Sequence, residues 1–254
     1  MSARAGRIIA PVVVGLALLG VWQLVIGVLR LGPATIPAPA AVGAQYGQHL
    51  GIIAEDALIT GGNALAGLLV GAVLGILVAA LAAGSRIADG MLVPLVAALA
   101  VVPIVALTPI FNTMFGASTQ FGRQAIAAIA AFVPVFVNVL RGLRQTRPVH
   151  RDLLRATAAS PRQTFTKLTL PTALPYLLTG VRIAASLAVI SALVAEYFGG
   201  PADGLGTAIA SYAKSGNSSL AWAYVGAGIA IGLAFFVVTL ALERFVTRHR
   251  PSSA

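Results

Sequence analysis

The side chains that most often catalyse reactions or bind metal ions are scarce in the apolar parts of this sequence. All three histidines, His49, His150 and His249, fall in predicted loops or tails. No apolar stretch contains an aspartate pair, and the acidic Glu196 lies near the end of one stretch. Catalysis by nucleophiles or metal ions needs such groups together in a protected site. The residues therefore argue against an intramembrane enzyme and predict neither catalytic nor metal-binding residues.

Nucleotide hydrolysis is a second chemistry that the sequence does not support. A P-loop requires the pattern G-x4-G-K-[ST], whose backbone N–H groups surround the phosphates. The chain has only two lysines, Lys167 and Lys214, and Lys214 follows Ala213 rather than a glycine. We therefore expect no cofactor on this chain. Any ATP and Mg²⁺ would have to be bound by another chain.

A few polar residues inside apolar stretches are candidates for a pathway or a gate. An acidic side chain just inside a membrane surface, such as Glu196, can line a pathway or hold a gate closed; the alternative is a carboxylate that reaches water. The uncharged candidates are Thr108, Asn112, Asn138 and Ser191. Each of them can instead form a helix-to-helix hydrogen bond. Secondary transporters and channels usually keep ionisable groups near the midplane. Their near absence here disfavours that alternative.

The composition predicts the elements that must position these residues. Hydrophobic residues make up 58% of the 254 residues and charged residues 9%, whereas soluble domains carry about 25% charged residues. A membrane-spanning helix needs about 20 residues, so five or six spans with their loops use the whole length. We expect one all-α, polytopic membrane domain over residues 1–254.

Six apolar stretches can be identified as spans, and prolines within them are expected to kink rather than end a helix, because neighbouring helices satisfy the freed carbonyls. Gly67, Gly71 and Gly75 form a stripe that either permits close helix packing or reflects the frequency of glycine in membrane helices. The first stretch is expected to be a retained helix rather than a signal peptide. The predicted spans are 8–29, 63–83, 91–113, 124–140, 175–198 and 221–242.

The basic residues predict the orientation of the chain. With the N-terminus inside, Arg30, Arg123 and Lys214 are the only three of the 17 lysines and arginines outside, which leaves 14 inside. This asymmetry predicts that both termini lie in the cytoplasm. The excess of arginine over lysine and the abundance of alanine and glycine indicate a bacterial chain, so the expected location is a bacterial inner membrane. The asymmetry also explains the net charge of +10 without a nucleic-acid partner.

A polar, arginine-bearing loop between two apolar stretches carries the most specific motif. Residues 152–182 read DLLRATAASPRQTFTKLTLPTALPYLLTGVR. The segment resembles the EAA loop of ABC-importer permeases, with the pattern E-A-A-x3-G-x9-I-x-L-P, and we expect residues 146–175 to form this cytoplasmic loop. Asp152 stands at the acidic position of the pattern and Ala158 at the glycine. Leu168 stands at the isoleucine, and Leu170 and Pro171 form the closing L-P.

Ala158 departs from the family pattern at the glycine position. If the family glycine adopts a positive φ, alanine in its place costs about 1 kcal/mol or more. Otherwise the turn is helical at this position, the loop is slightly remodelled, or this chain is the weaker-coupling half of a two-permease heterodimer.

The second half of the loop has the signature of a helix start. Ser160 is expected to cap the free N–H groups, Pro161 suits the first helical position, and Gln163 can reach back to the cap. Phe165 and Leu168 follow on one face. The resemblance implies that they dock into the groove of an ATPase subunit; the alternative is packing under the chain's own helix ends.

The resemblance implies the type I ABC-importer permease fold and an alternating-access mechanism. It extends to permeases of the nitrate, sulfonate and taurine group, and is nearest to the branch for thiamine-precursor pyrimidines and riboflavin. The implied partners are two ATPase subunits, a second copy or a paralogue of the permease, an extracytoplasmic binding protein at residues 199–219, and the bilayer. The expected solute is a small polar organic compound, with a pyrimidine or riboflavin first, and nitrate, taurine or an alkanesulfonate next.

Overall fold

The computed structural model describes residues 3–29, 32, 36–116 and 118–248. Within these residues all regular secondary structure is helical, which confirms the all-α prediction. A π-helical turn at Phe165–Thr169 joins α7 to α8. In chain order the α-helices are α1 (Ala3–Leu29), α2 (Pro39–Gly84), α3 (Arg86–Leu99), α4 (Ile104–Phe115), α5 (Phe121–Arg144), α6 (Pro148–Ala156), α7 (Pro161–Thr164), α8 (Leu170–Tyr197), α9 (Leu205–Lys214) and α10 (Ser218–Thr247).

The number of candidate membrane spans among the described residues is four, or five if a bent pair forms one span. The four are α2, α5, α10 and the continuous helix Pro161–Tyr197, and Val13–Leu29 is a shorter apolar helix. The predicted total of six is not confirmed.

The bent pair stands where a single kinked span was predicted at 91–113. Helices α3 and α4 meet at 94°, and Pro103 stands immediately before α4 in an extended conformation. A proline lacks an N–H and disfavours helical geometry in the residue before it. Pro94 and Pro109 lie inside their helices, so the kink interpretation holds for them and is wrong at Pro103.

Helix α2 begins much earlier than the predicted span at 63–83. Its 46 residues make it roughly 69 Å long, more than twice the thickness of a hydrocarbon core. Asp56, Thr60 and Asn63 recur at helical spacing on one face of its first half, and each bonds to polar groups of distant segments. These partners explain why the helix continues beyond its apolar stretch.

The core lies where α2, α5 and α8 pack together. The glycine stripe of α2 faces α5: a Cβ added at Gly67 would lie 2.4 Å from Ala127 Cβ, and one at Gly71 would lie 2.4 Å from the carbonyl oxygen of Ala128. No larger side chain fits at these distances. The close-packing interpretation of the stripe is therefore correct.

Helix α8 is the continuation of the helix that starts in the loop, whereas the predicted span began at 175. The N–H of Leu170 bonds to the carbonyl of Phe165, five residues back, and this wider turn directly precedes Pro171. In a regular α-helix the proline ring would clash with the carbonyl four residues earlier. The π turn carries the chain past that proline without a break.

Helix α1 is the most exposed of the long helices. Trp22 stacks against Trp222 of α10 with 5.3 Å between ring centroids, and Ile26 is buried. Three residues used in the sequence arguments, Arg30, His249 and Arg250, lie outside the described residues.

Candidate functional site

Helix α6 forms the first half of the predicted coupling loop, and the turn that ends it is at Ala158. The N–H of Ala158 bonds to the carbonyl of Arg155, and the N–H of Ala159 bonds to that of Leu154, both at 2.9 Å. This is the Schellman arrangement, in which the residue after the cap adopts a left-handed conformation and is usually glycine. Ala158 has φ 52°. The alanine therefore keeps the turn that the family glycine is expected to form, and the alternatives of a helical turn or a remodelled loop are wrong.

The second half of the loop starts with the predicted capping box. Ser160 Oγ accepts from the N–H of Gln163 at 3.3 Å, and Gln163 Oε1 accepts from the N–H of Ser160 at 2.8 Å. Pro161 occupies the first turn. The local sequence therefore fixes the start of α7, as expected.

The apolar residues of the loop are distributed differently from the prediction. Phe165 is 49% exposed and Leu168 is half-buried, so part of each side chain packs against the chain itself. Val149 and Leu153 on α6 are 74% and 63% exposed, and their spacing of four places them on one face. Sequence reasoning missed this pair, although the i, i+4 spacing in VHRDLL was a usable signal. The described structure thus has two apolar patches here rather than one.

The remaining coupling residues occupy the rim of the loop. Asp152 lies on α6, 3.5 Å from Arg155, and both side chains are well exposed, a geometry that stabilises little. Leu170 is about half exposed, and Pro171 lies in the first turn of α8. The role of all these residues at an ATPase stays a prediction.

Glu196 sits in a buried hydrogen-bonded site, with only 1% of the residue exposed. The Thr60 hydroxyl donates to Glu196 Oε2 at 2.8 Å and the N–H of Gly206 donates to the same oxygen at 3.0 Å. Asn63 Nδ2 donates to Oε1 at 3.4 Å, and Thr60 also accepts from the N–H of Leu205. The alternative that this carboxylate reaches water is therefore wrong. Its role in a gate stays a prediction.

Arg123 lies in the same region and is equally buried, with 1% of its side chain exposed. It forms an ion pair with Asp203 at 2.7 Å and donates to the carbonyl of Pro201 at 2.6 Å. It also donates to Thr207 Oγ1 and Gln120 Oε1, each at 3.0 Å. The orientation argument counted Arg123 only as an outside charge. Apart from Gln120, its partners lie about 80 residues away in the chain, so the sequence carried no signal for them.

Gln120 joins the two halves of this network. Its carbonyl oxygen accepts from Asn63, and its amide donates to both carboxylate oxygens of Asp203. Asp56 accepts from the N–H of Gly204 in the same loop. We call this network the Arg123–Glu196 cluster; its side chains are Asp56, Thr60, Asn63, Gln120, Arg123, Glu196 and Asp203.

The other pathway candidates do not join Glu196 in one site. Asn138 donates to the carbonyl of Pro134 in its own helix at 2.8 Å, so this hydrogen bond does not cross between helices. Asn112 lies beside Gly199, where an added Cβ would be 2.9 Å from Asn112 Nδ2. Thr108 and Ser191 are buried, and the Thr108 hydroxyl has no partner among the described residues.

The site as a whole offers binding surfaces rather than reactive groups. Among the described residues, no group of three or more histidine, aspartate or glutamate side chains is arranged to hold a metal ion. A helical membrane protein with an arginine-rich loop, a turn of the EAA type and a capped helix leading into a span defines the class of transporter permeases.

Comparison with known proteins identifies the family. Residues 71–252 match the binding-protein-dependent transport system inner membrane component family, and the chain belongs to this family. A probable ABC transporter permease of Haemophilus influenzae is 30% identical over 200 residues, which are 79% of this chain and 81% of that protein. The riboflavin transport permease RibX of Chloroflexus aurantiacus is 28% identical over 237 residues, 92% and 88% of the two chains.

A third relative is more similar over a shorter stretch. The formylaminopyrimidine transport permease ThiX of Halalkalibacterium halodurans is 39% identical over 140 residues, and the match spans about half of each chain, 55% of both. These relatives confirm the predicted resemblance to permeases of ABC transporters. In this family the membrane component lacks an ATPase site and a partner subunit hydrolyses ATP, and the several apolar helices make this chain an integral inner-membrane protein.

Proposed function

We propose that this chain is one of two permease subunits of a bacterial ATP-driven importer that works by alternating access. The second permease is another copy or a paralogue, two ATPase subunits bind on the cytoplasmic side, and a binding protein delivers the solute from outside. Closure of the ATPases around ATP and Mg²⁺ draws the two coupling loops together. The permease pair then turns its pathway from inward-facing to outward-facing.

The observation that carries this proposal is the uncovered apolar face of α6. Val149 and Leu153 are mostly exposed, and α6 has no buried residue in the described structure. Arginines surround this helix, and the positive-inside rule places such segments in the cytoplasm. An apolar face in water is typical of a surface that a partner protein covers. We assign the ATPase contact to α6 first, with Phe165 and Leu168 as its continuation.

For the solute we favour a pyrimidine of the thiamine-precursor type, with riboflavin next. Support comes from the names of ThiX and RibX, two relatives with 39% and 28% identity. Relatives named for aliphatic sulfonates and bicarbonate are 28% and 29% identical, so nitrate, taurine and alkanesulfonates follow as candidate solutes.

On the opposite side of the membrane we place the binding-protein contact at residues 199–219. The Arg123–Glu196 cluster holds the first part of this segment, and residues 213–217 after it are exposed. A firmly held segment with an exposed tip suits a docking surface, because little order is lost when a partner binds.

The orientation can be tested with single cysteines, because the natural chain has none. Thr166→Cys and Ser215→Cys should react with a membrane-impermeant maleimide from opposite sides, and only Ser215→Cys should react in intact cells. Labelling of Thr166→Cys in intact cells would invert the topology.

The coupling proposal can be tested by co-expression with an ATPase and a binding protein encoded beside this gene. Val149→Ala/Leu153→Ala should weaken ATPase co-purification and solute uptake, since each side chain contributes about 1.5–3 kcal/mol when fully buried. Leu187→Ala/Ile190→Ala, at exposed positions of α8, is the matched control. Equal ATPase recovery from both double variants would refute the assignment to α6.

A further inference from the structure

Two adjoining cavities lie between α6 and the ends of the spanning helices. The first, of about 320 Å³, has mainly apolar walls from the ends of α2, α5 and α8, including Ala80, Leu143 and Leu174. The second, of about 370 Å³, lies between α6 and the start of α7 and has a much more polar wall. Arg151 and Phe165 line both. The cavities therefore form one groove with an apolar end and a polar end.

The polar end of the groove is basic. Arg151 and Arg155 lie four residues apart on α6 and both line this end, as one face of a helix requires. No carboxylate lines either cavity. Asp152 is 3.5 Å from Arg155, but both groups are exposed, so their interaction is weak. Arg151 forms no ion pair within the described part of the chain. The groove thus presents positive charge that the chain does not neutralise.

Two hydroxyl groups extend this basic end. Thr164 and Thr169 line it and are only partly buried. Thr169 belongs to the π turn and also lines the apolar end. π turns inside helices frequently occur at functional sites. Here the π turn places the Thr169 hydroxyl where the two ends of the groove meet.

The position of α6 is a separate sign that something fills the groove. None of its nine residues is buried, yet the helix stands over a cavity bounded by the spans. The apolar end lies between helices that cross the membrane, at the level where lipid chains are available. A protein partner from the cytoplasm meets the basic end first, whereas an amphipathic anion from the bilayer matches both ends.

We propose that this groove binds a phospholipid with an anionic headgroup. Its phosphate lies against Arg151 and Arg155, and an acyl chain lies along the apolar end beside Ala80 and Leu174. Basic pockets between helix ends on the cytoplasmic side recognise anionic lipids in this way. The bound lipid connects α6 to the spans and orients the exposed face of α6. The inference requires only that the chain is in a membrane, not that α6 contacts an ATPase.

The test measures lipid retention by the full chain, purified without an ATPase, by native mass spectrometry after addition of phosphatidylglycerol or phosphatidylcholine. The natural chain should retain one phosphatidylglycerol in preference to phosphatidylcholine. Arg151→Gln/Arg155→Gln should lower the affinity for phosphatidylglycerol roughly 30-fold. Arg86→Gln/Arg248→Gln removes the same charge outside the groove and should change it little.

A second variant tests the apolar end independently. Ala80 is exposed, so Ala80→Phe fills the cavity without disturbing the core and should abolish retention of phosphatidylglycerol. Leu81→Phe, the neighbouring position outside the groove, should retain it.

Two results would overturn the proposal. The first is equal retention of both lipids by the natural chain, and the second is undiminished phosphatidylglycerol binding by Arg151→Gln/Arg155→Gln. In the second case, loss of ATPase co-purification in the same variant would assign the basic end to the ATPase.

Discussion

The Arg123–Glu196 cluster and the coupling loop differ in which side chains they bury and which they expose. In the Arg123–Glu196 cluster, the side chains of Arg123 on α5 and Glu196 on α8 are almost completely buried, and they bond to groups of α2, of the loop after α8 and of α9. In the coupling loop, α6 has no buried residue and exposes Val149 and Leu153. The polar groups of the cluster bond to groups of the same chain, whereas the apolar face of α6 stays uncovered.

The difference has a physical basis. A buried charge is tolerated only where hydrogen bonds and an opposite charge replace water, so the cluster must be fully assembled before any partner arrives. Exposed apolar side chains cost the free chain less, because each forgoes only the free energy of its own burial, about 1.5–3 kcal/mol. Substitutions in the cluster should therefore act on stability, and substitutions in the loop should act on binding.

Removal of Arg123 should produce the largest effect. Arg123→Met takes the buried donor from the carbonyl of Pro201 and the ion-pair partner from Asp203. Because Asp203 is 36% exposed and keeps its hydrogen bonds from Gln120, we expect a cost of about 3 kcal/mol, the lower end for a buried pair. Lys214→Met, which removes an exposed basic residue from the same predicted side, should change stability by less than about 0.5 kcal/mol. Thermal unfolding in detergent measures both. Similar unfolding temperatures for the two variants would mean that the cluster does not stabilise the fold.

Glu196→Gln should have a smaller effect of the same kind. An amide has one acceptor oxygen instead of two, so one of the donors from Thr60, Asn63 and Gly206 loses its partner at a cost of about 1–3 kcal/mol. Glu55→Gln, at an exposed position, is the control. If stability falls while uptake per folded molecule is unchanged, Glu196 belongs to the cluster alone. If uptake or basal ATPase rate changes while unfolding does not, Glu196 acts as a gate and the comparison fails.

Ala158→Gly should have the smallest effect and the opposite sign. Glycine adopts φ 52° without the cost that alanine bears, so α6 should be stabilised by about 1 kcal/mol. Hydrogen exchange of the amides at 150–157 should slow accordingly, while Ala159→Gly should not slow it. Faster exchange in Ala158→Gly would show that the left-handed turn is not the conformation in solution.

Local signals in the sequence predicted the parts of the loop that depend on neighbours in the chain. The capping box at Ser160 and Gln163 is confirmed because both partners lie within three residues. The family pattern located the turn at Ala158, but only the backbone shows that alanine retains the glycine conformation.

Hydropathy was a weaker guide to helix length and direction. Hydropathy depends on composition alone and cannot show where a helix axis changes direction. It therefore joined α3 and α4 into one span across a 94° bend. It also placed the start of the second span at residue 63, because the residues before it are more polar. Asp56, Thr60 and Asn63 nevertheless belong to the helix and bond to distant segments. The ion pair of Arg123 with Asp203 joins residues far apart in sequence, and no local pattern predicts it.

The central claim is that α6 is the surface completed by the ATPase, and a cross-link tests it most directly. In this naturally cysteine-free chain, Leu153→Cys should cross-link through a short bifunctional maleimide to a single cysteine at the groove of the co-expressed ATPase. Ser215→Cys should give no such product. Efficient cross-linking from Leu153→Cys that depends on the assembled complex is the predicted result. A complex that assembles and hydrolyses ATP normally, yet gives no cross-link from Leu153→Cys, would contradict the account.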